Sequence, residues 1–416
     1  MNLLKARAGP DFNLQTRRGS TKLILFFGGF GAQDGRFQYW KVGKALGTHC
    51  LFLSDGRKHW YQSGVPGLGH DIEETLASIR TCAAELGVKD IYTFGQSMGA
   101  HGAILYGAKL GAKVMAFGAE TILGLEASRS DRLLQADATI LYPDLHGVIA
   151  SAARPVFAFA GEEDPVDLYC MSKASGLPNY HPRTIVGQGH HLAAYLHQSD
   201  RLIPLLRAFV EDRPLPLTGE EGDVLARLGL ADAFYDLHRH SRARRRTEAA
   251  EAGQRTLSLN ARSRVALHLT AKALLETGRA AEALDPAEQA LAIAPDIIAY
   301  RFLLARTVAR LGDLDRAMSL YKEIVATQPD HAPAYNQIAG IHYKRGDFFA
   351  AREATRRALE LRPGHATFAN LGERIEKRIA ALSVQANPLQ QDESGSFAGK
   401  VSSLFRTLKG TVARRP

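Results

Sequence analysis

Asp90-Ile91-Tyr92-Thr93-Phe94-Gly95-Gln96-Ser97-Met98-Gly99-Ala100-His101-Gly102-Ala103 is where the N-terminal half of this chain declares its fold. Asp90 to Phe94 is a short run rich in β-branched and aromatic residues, which predicts a strand. Met98 to Leu110 is rich in Ala and Gly and predicts a helix. Between them stands G-x-S-x-G. A sharp turn there lifts the Ser97 hydroxyl above the sheet, and side chains at the flanking glycines would strike the neighbouring strand and helix. Ser97 then opens the helix. The Met98 backbone N–H and the helix dipole both favour negative charge developing at that point. Ser97 is thus a candidate nucleophile.

Outward from this motif, strands are expected at Phe12–Arg17, Lys22–Phe27, Cys50–Ser54, Lys113–Phe117, Pro155–Ala160 and Arg183–Val186. Ile72, Leu76, Ile79 and Ala83 recur at helical spacing before Gly87, a plausible stop. The alternation predicts an α/β fold with a mostly parallel sheet covered on both faces. Right-handed crossovers would gather the strand C-termini along one edge, where sites form.

A serine nucleophile in such a sheet is followed by its acid and then its histidine. Val156-Phe-Ala-Phe-Ala-Gly161-Glu162-Glu163-Asp164-Pro165 is a strand running into an acidic turn. Asp164 is the expected acid, with Asp167 in reserve and Glu162 or Glu163 behind it. Gly187-Gln188-Gly189-His190-His191-Leu192 then offers the histidine. His190 is preferred because Leu192 and Leu196 can start a helix beyond it; His191 stays open. An oxyanion needs a second N–H from an earlier loop. Phe27-Gly28-Gly29-Phe30-Gly31 follows a strand, and Phe30 N–H is the first choice, Gly29 N–H the second. Arg57, Trp60 and Tyr61, in the loop after the third strand, are candidate substrate contacts together with Gly29.

Residues 20–210 resemble a short, capless α/β-hydrolase. The stretch Gly95-Gln-Ser-Met-Gly-Ala-His-Gly-Ala resembles the elbow of esterase-D-like carboxylesterases, although Ala100 stands where that family commonly has a glycine. Gly28-Gly29-Phe30 resembles the family's oxyanion loop, but Phe27 replaces the usual preceding histidine. The resemblance implies acyl transfer from an ester or thioester through Ser97, His190 and Asp164, with no cofactor and no metal. It says little about the substrate, because this fold serves many chemistries and has inactive members.

The C-terminal half repeats. Gly278, Gly312 and Gly346 are 34 residues apart, as are Ala283, Ala317 and Ala351, and Pro295, Pro329 and Pro363. This period and pattern match the tetratricopeptide repeat. Three repeats are expected over 264–297, 298–331 and 332–365, then a capping helix from Ala366 to Leu382. The resemblance implies recognition of a protein partner, with Tyr300, Arg301, Arg306, Tyr335 and Asn336 on the first helices. The expected divisions are therefore a sheet domain over 1–213, a helical connector or degenerate repeat over 214–263, repeats and cap over 264–382, and a disordered linker with a basic amphipathic tail over 383–416.

Hydrophobic residues make up 45% of the 416 and charged residues 23%, ordinary for a globular protein. The net charge of +9 is local. Arg239, Arg242, Arg244, Arg245 and Arg246 form one patch, and Lys400, Arg406, Lys409, Arg414 and Arg415 another. Without these ten the chain is nearly neutral. No nucleic-acid fold accompanies either patch, so no nucleic-acid partner is expected. Val401, Leu404, Phe405, Leu408 and Val412 recur at helical spacing, which suggests weak contact with a membrane surface. No apolar run is long enough to span a bilayer, and residues 1–18 do not read as a secretory signal. Three cysteines with no metal or redox spacing fit a reducing cytoplasm. The expected function is a cytoplasmic serine hydrolase whose repeats recruit a partner or carrier. The alternatives are an inactive hydrolase-fold scaffold in an interaction protein, or an acyltransferase in polysaccharide assembly.

Overall fold

The computed structural model describes residues 3–31, 36–216, 218–259 and 262–386. The basic tail from Lys400 onward lies outside these residues, as does the linker from 387. The chain divides into two compact units, Met1–Thr277 and Gly278–Pro416.

The first unit is built on seven strands: β1 (Phe12–Gln15), β2 (Lys22–Phe27), β3 (His49–Leu53), β4 (Asp90–Gln96), β5 (Lys113–Phe117), β6 (Val156–Gly161) and β7 (Tyr180–Ile185). Their order is β1-β3-β2-β4-β5-β6-β7. Only the β1–β3 pair is antiparallel; every other pairing is parallel. The inner strands are buried almost end to end, as a sheet covered on both faces requires. Phenylalanines form a ladder across it. Phe26 stacks on Phe52 at 5.1 Å, Phe94 meets Phe117 edge-on at 5.4 Å, and Phe117 meets Phe159 at 4.9 Å. Each such pair contributes about 0.5–1.5 kcal/mol beyond its buried area. Strand β7 starts three residues earlier than its composition suggested. Pro182 obscures it in the sequence and is tolerated because β7 is the last strand of the sheet.

The helix Met98–Leu110 explains its own composition. A Cβ on Gly102 would lie 2.6 Å from the Tyr61 ring, and one on Gly107 2.5 Å from Thr93 Oγ1. Small residues let this helix sit directly on the sheet.

The unit does not stop at the Pro214-Leu-Pro216 segment. The helices Leu230–Arg242, Arg246–Leu259 and Arg264–Glu276 belong to it. Tyr235 packs against Tyr169 at 4.4 Å between ring centres, and its hydroxyl donates to Glu126 O at 3.0 Å. The helices bury Leu230, Phe234, Leu237 and Ala252. The compact unit therefore extends well past residue 213 and takes in the helix expected to open the first repeat.

The described residues of the second unit form only helices, from Ala280–Ile293 through Ala366–Ala386. Gly278, Gly312 and Gly346 have φ of +83°, +96° and +82°, where glycine carries no Cβ penalty. Ala283, Ala317 and Ala351 are fully buried, so each helix pair approaches closely at the repeated alanine. Tyr300 is buried and Arg301 pairs with Glu323 at 3.3 Å.

Candidate functional site

Ser97 sits between β4 and its helix at φ 59°, ψ −126°. This is a strained conformation for a residue with a side chain. The flanking glycines make it possible. A Cβ on Gly95 would lie 2.1 Å from Gly99 O, and one on Gly99 2.2 Å from Phe27 O. Ser97 N–H donates to Phe117 O at 2.9 Å, which ties the turn to β5. The residue is half-buried and lines a cleft of about 920 Å³ at the C-terminal edge of the sheet.

His190 lines the same cleft. No hydrogen bond joins it to Ser97 among the described residues, a separation common before substrate tightens such a site. The Gln96 side chain sets the loop: its amide donates to His190 O at 3.1 Å and its Oε1 accepts from Ala193 N–H at 2.8 Å. The variable position of G-x-S-x-G thus ties the serine turn to the histidine loop. His191 is exposed and starts the next helix without capping it.

The acid that reaches His190 is Asp167, not the expected Asp164. Asp167 Oδ2 lies 2.7 Å from His190 Nδ1. Asp164 instead caps the helix Pro165–Ala174, accepting from Val166 N–H at 3.1 Å and Asp167 N–H at 2.9 Å. Its other oxygen pairs with Arg129. Asp-Pro after a strand is a capping signature, which accounts for Asp164 without naming the acid that meets His190. The other two acids are also committed. Glu162 accepts from Thr184 Oγ1 at 2.8 Å and Val224 N–H at 3.1 Å. Glu163 accepts from Ser263 Oγ at 2.7 Å and Val265 N–H at 3.0 Å, at the start of the helix Arg264–Glu276.

Three residues of this cluster were not foreseen. Arg129 Nη1 stands 3.1 Å from Asp167 Oδ1 and 3.4 Å from Glu120 Oε1. Buried Glu120 in turn accepts from the backbone N–H groups of Arg129 and Ser130, both at 2.9 Å. Gly118, at φ +57°, leaves room for the pair: a Cβ there would lie 2.7 Å from Asp167 Oδ2 and 2.9 Å from His190 Nδ1. All three follow β5 in a segment without periodicity, so spacing offered no signal for them.

The charges of the cluster act on one another. Burial pushes the Asp167 carboxyl up, but His190 and Arg129 outweigh it and hold the pKa below the usual carboxylate range. Burial disfavours the charged His190 imidazole, yet Asp167 raises its pKa above the ordinary value, with Arg129 pulling the other way. Asp164, Asp167 and His190 bring three ligand atoms within 4.8 Å of one another. Arg129 already bridges both carboxylates, so a metal ion would have to displace a paired cation.

For an oxyanion, Met98 is the first helical residue, and its N–H has no intrahelical acceptor. Phe30 and Gly29 line the cleft. Gly29 N–H is taken by Gln38 Oε1 at 2.9 Å, which leaves Phe30 N–H as the better donor. The loop after β3 does not contribute. Trp60 and Tyr61 are fully buried, and neither they nor Arg57 line the cleft. Tyr61 OH donates to Gly28 O at 2.9 Å, and Arg57 donates to Ser63 O at 2.5 Å. Tyr61, and Trp60 with its ring 6.1 Å from that of Phe30, brace the glycine loop, whereas Arg57 ties down its own loop. His101, on the helix after Ser97, is fully buried with its pKa pushed down to about 4 by desolvation. Its ring joins Glu120 O at 2.8 Å to the Gln62 side chain at 2.9 Å.

The family model of the tetratricopeptide repeat matches residues 274–338 and 308–375. The C-terminal half carries tetratricopeptide repeats. Solved structures similar to it include YrrB, a TPR protein with an unusual peptide-binding site, at 15% identity over 44% of this chain and 87% of that one, with a TM-score of 0.34. The first TPR domain of human RPAP3 matches at 20% identity over 28% of this chain and 93% of its own, TM-score 0.27. MamA from Desulfovibrio magneticus RS-1 matches at 13% identity over 39% and 98%, TM-score 0.32. No curated protein matches the chain. Among the described residues no helix is long and apolar enough to cross a membrane.

Proposed function

We propose that the first unit is a serine hydrolase of the α/β-hydrolase type, acting on an ester or thioester, and that the repeats hold a protein partner or carrier. The observation that carries this reading is Ser97 at positive φ on a strand–helix turn, sharing a cleft with a histidine whose Nδ1 is held by a buried carboxylate. Such strain persists where surrounding structure enforces it, and it clusters at reactive positions. His190 accepts the Ser97 proton as Ser97 Oγ attacks the carbonyl carbon. Asp167 holds the imidazole in the reactive tautomer and stabilises its charged form. The N–H groups of Met98 and Phe30 receive the oxyanion. His190 then returns its proton to the leaving alcohol or thiol, and water or another acceptor releases the acyl group.

A fluorophosphonate probe tests this, since labelling needs an activated serine in an accessible cleft. Labelling of the full chain and its loss in Ser97→Ala are expected. Equal labelling of both proteins, or of neither, would return the first unit to a scaffold role.

A further inference from the structure

The described residues lining the cleft include no carboxylate, although bases are frequent among them. Lys41 lies on the short helix Trp40–Lys44 and Arg132 on Arg129–Leu133. Both are exposed at the cleft, and neither meets an acid among the described residues; Arg132 Nε donates to Ser128 O at 3.0 Å. Exposed His191 and His197 add further donors. The carboxylates that touch the site's residues, Asp164, Asp167 and Glu120, are tied to Arg129 and His190. Apart from Gln38, Gln96 and Ser97, the rest of the lining is apolar or aromatic, with Phe30, Phe37, Trp40 and Leu133 prominent. A cleft of this size suits a small organic ligand. Among the described residues its lining charge is one-signed, and low-dielectric walls focus such a field on an incoming anion.

We propose that the cleft takes esters bearing a negative charge, a carboxylate or phosphate carried on an apolar or aromatic body. The body lies against the aromatic wall, and the anion meets Arg132 and Lys41. The inference rests on the Ser97 reading only in calling the ligand an ester; the charge preference is a property of the cleft.

The test is equilibrium binding to full-length Ser97→Ala protein, where turnover cannot interfere. Para-nitrophenyl hydrogen succinate is compared with para-nitrophenyl butyrate, which is similar in size but neutral. The anionic ester should bind at least roughly tenfold more tightly at low salt, and the preference should shrink as salt screens the pairs. Adding Arg132→Gln and Lys41→Gln should bring the two esters close to parity. Competition by phenyl phosphate against benzoate then tells a phosphate site from a carboxylate site. Equal binding of the two esters, a preference that survives the double substitution, or no binding of either would overturn the proposal. Fluorophosphonate labelling of the wild type separates the two readings. Labelling without charge preference sinks the anionic substrate alone, whereas charge-selective binding without labelling sinks the nucleophile alone.

Discussion

Arg129 Nη1 stands 3.1 Å from Asp167 Oδ1, on the opposite carboxylate oxygen from the one that meets His190 at 2.7 Å. The acid is therefore gripped from both sides, by a fixed cation behind and by the imidazole in front. This arrangement governs both the geometry and the pH response of the site.

The first consequence concerns which acid matters. Asp167→Asn should lower turnover of a small ester by about 10⁴-fold, because the amide favours the wrong tautomer of His190. Asp164→Asn keeps a side-chain acceptor for the helix cap and should cost far less in rate. Turnover measured on both variants decides it. A larger loss from Asp164→Asn would restore Asp164 as the acid.

The pH profile follows from the same cluster. His190 must be neutral to accept a proton, so activity should fall as pH drops through its raised pKa. Arg129 opposes that rise. Arg129→Gln should therefore move the acid limb of kcat/KM to higher pH, with Arg129→Lys closer to wild type. Loss of the cation also leaves buried carboxylates uncompensated, at a cost of about 3–5 kcal/mol in stability. An acid limb that stays in place in folded Arg129→Gln would show that the cation does not act on His190.

Gly118→Ala should be small in volume and large in effect. The new Cβ would press on both Asp167 and His190, and a misplacement of about 1 Å at a reacting group can cost ~10²-fold. The positive φ adds roughly 1–2 kcal/mol of strain. Labelling rate and Tm measured together separate the two effects. Wild-type labelling in the variant would mean that the pair tolerates displacement.

The extent of the first unit can be tested by truncation. A fragment of residues 1–277 retains Ser263 and the helix start that hold Glu163, and it retains Tyr235 against Tyr169. It should fold and turn over small esters. A fragment ending at 215 leaves Glu163 without those donors and should be markedly less stable or insoluble. Equal Tm values for the two fragments would mean that the helices after 230 are dispensable to the sheet.

Much of this architecture was legible in the chain itself. Alternating apolar runs and helical spacings specify the seven strands and their mostly parallel pairing, because local periodicity records which faces are buried. The glycines around Ser97 announce a close approach of backbones, and the 34-residue phase of Gly, Ala and Pro announces the repeats. Which acid meets His190 was decided only in three dimensions. Four acids crowd one turn after β6, and each takes the partner the fold brings to it: Thr184 for Glu162, Ser263 for Glu163, Arg129 and a helix start for Asp164, His190 for Asp167. Trp60 and Tyr61 looked like substrate contacts because aromatic residues in a loop read as available, yet the loop folds inward and buries them. Arg129 and Gly118 had no sequence signal, since their roles depend on contacts with residues up to 72 positions away. Local sequence dictates periodicity and turns; pairing between distant side chains is settled only when the strands are assembled side by side.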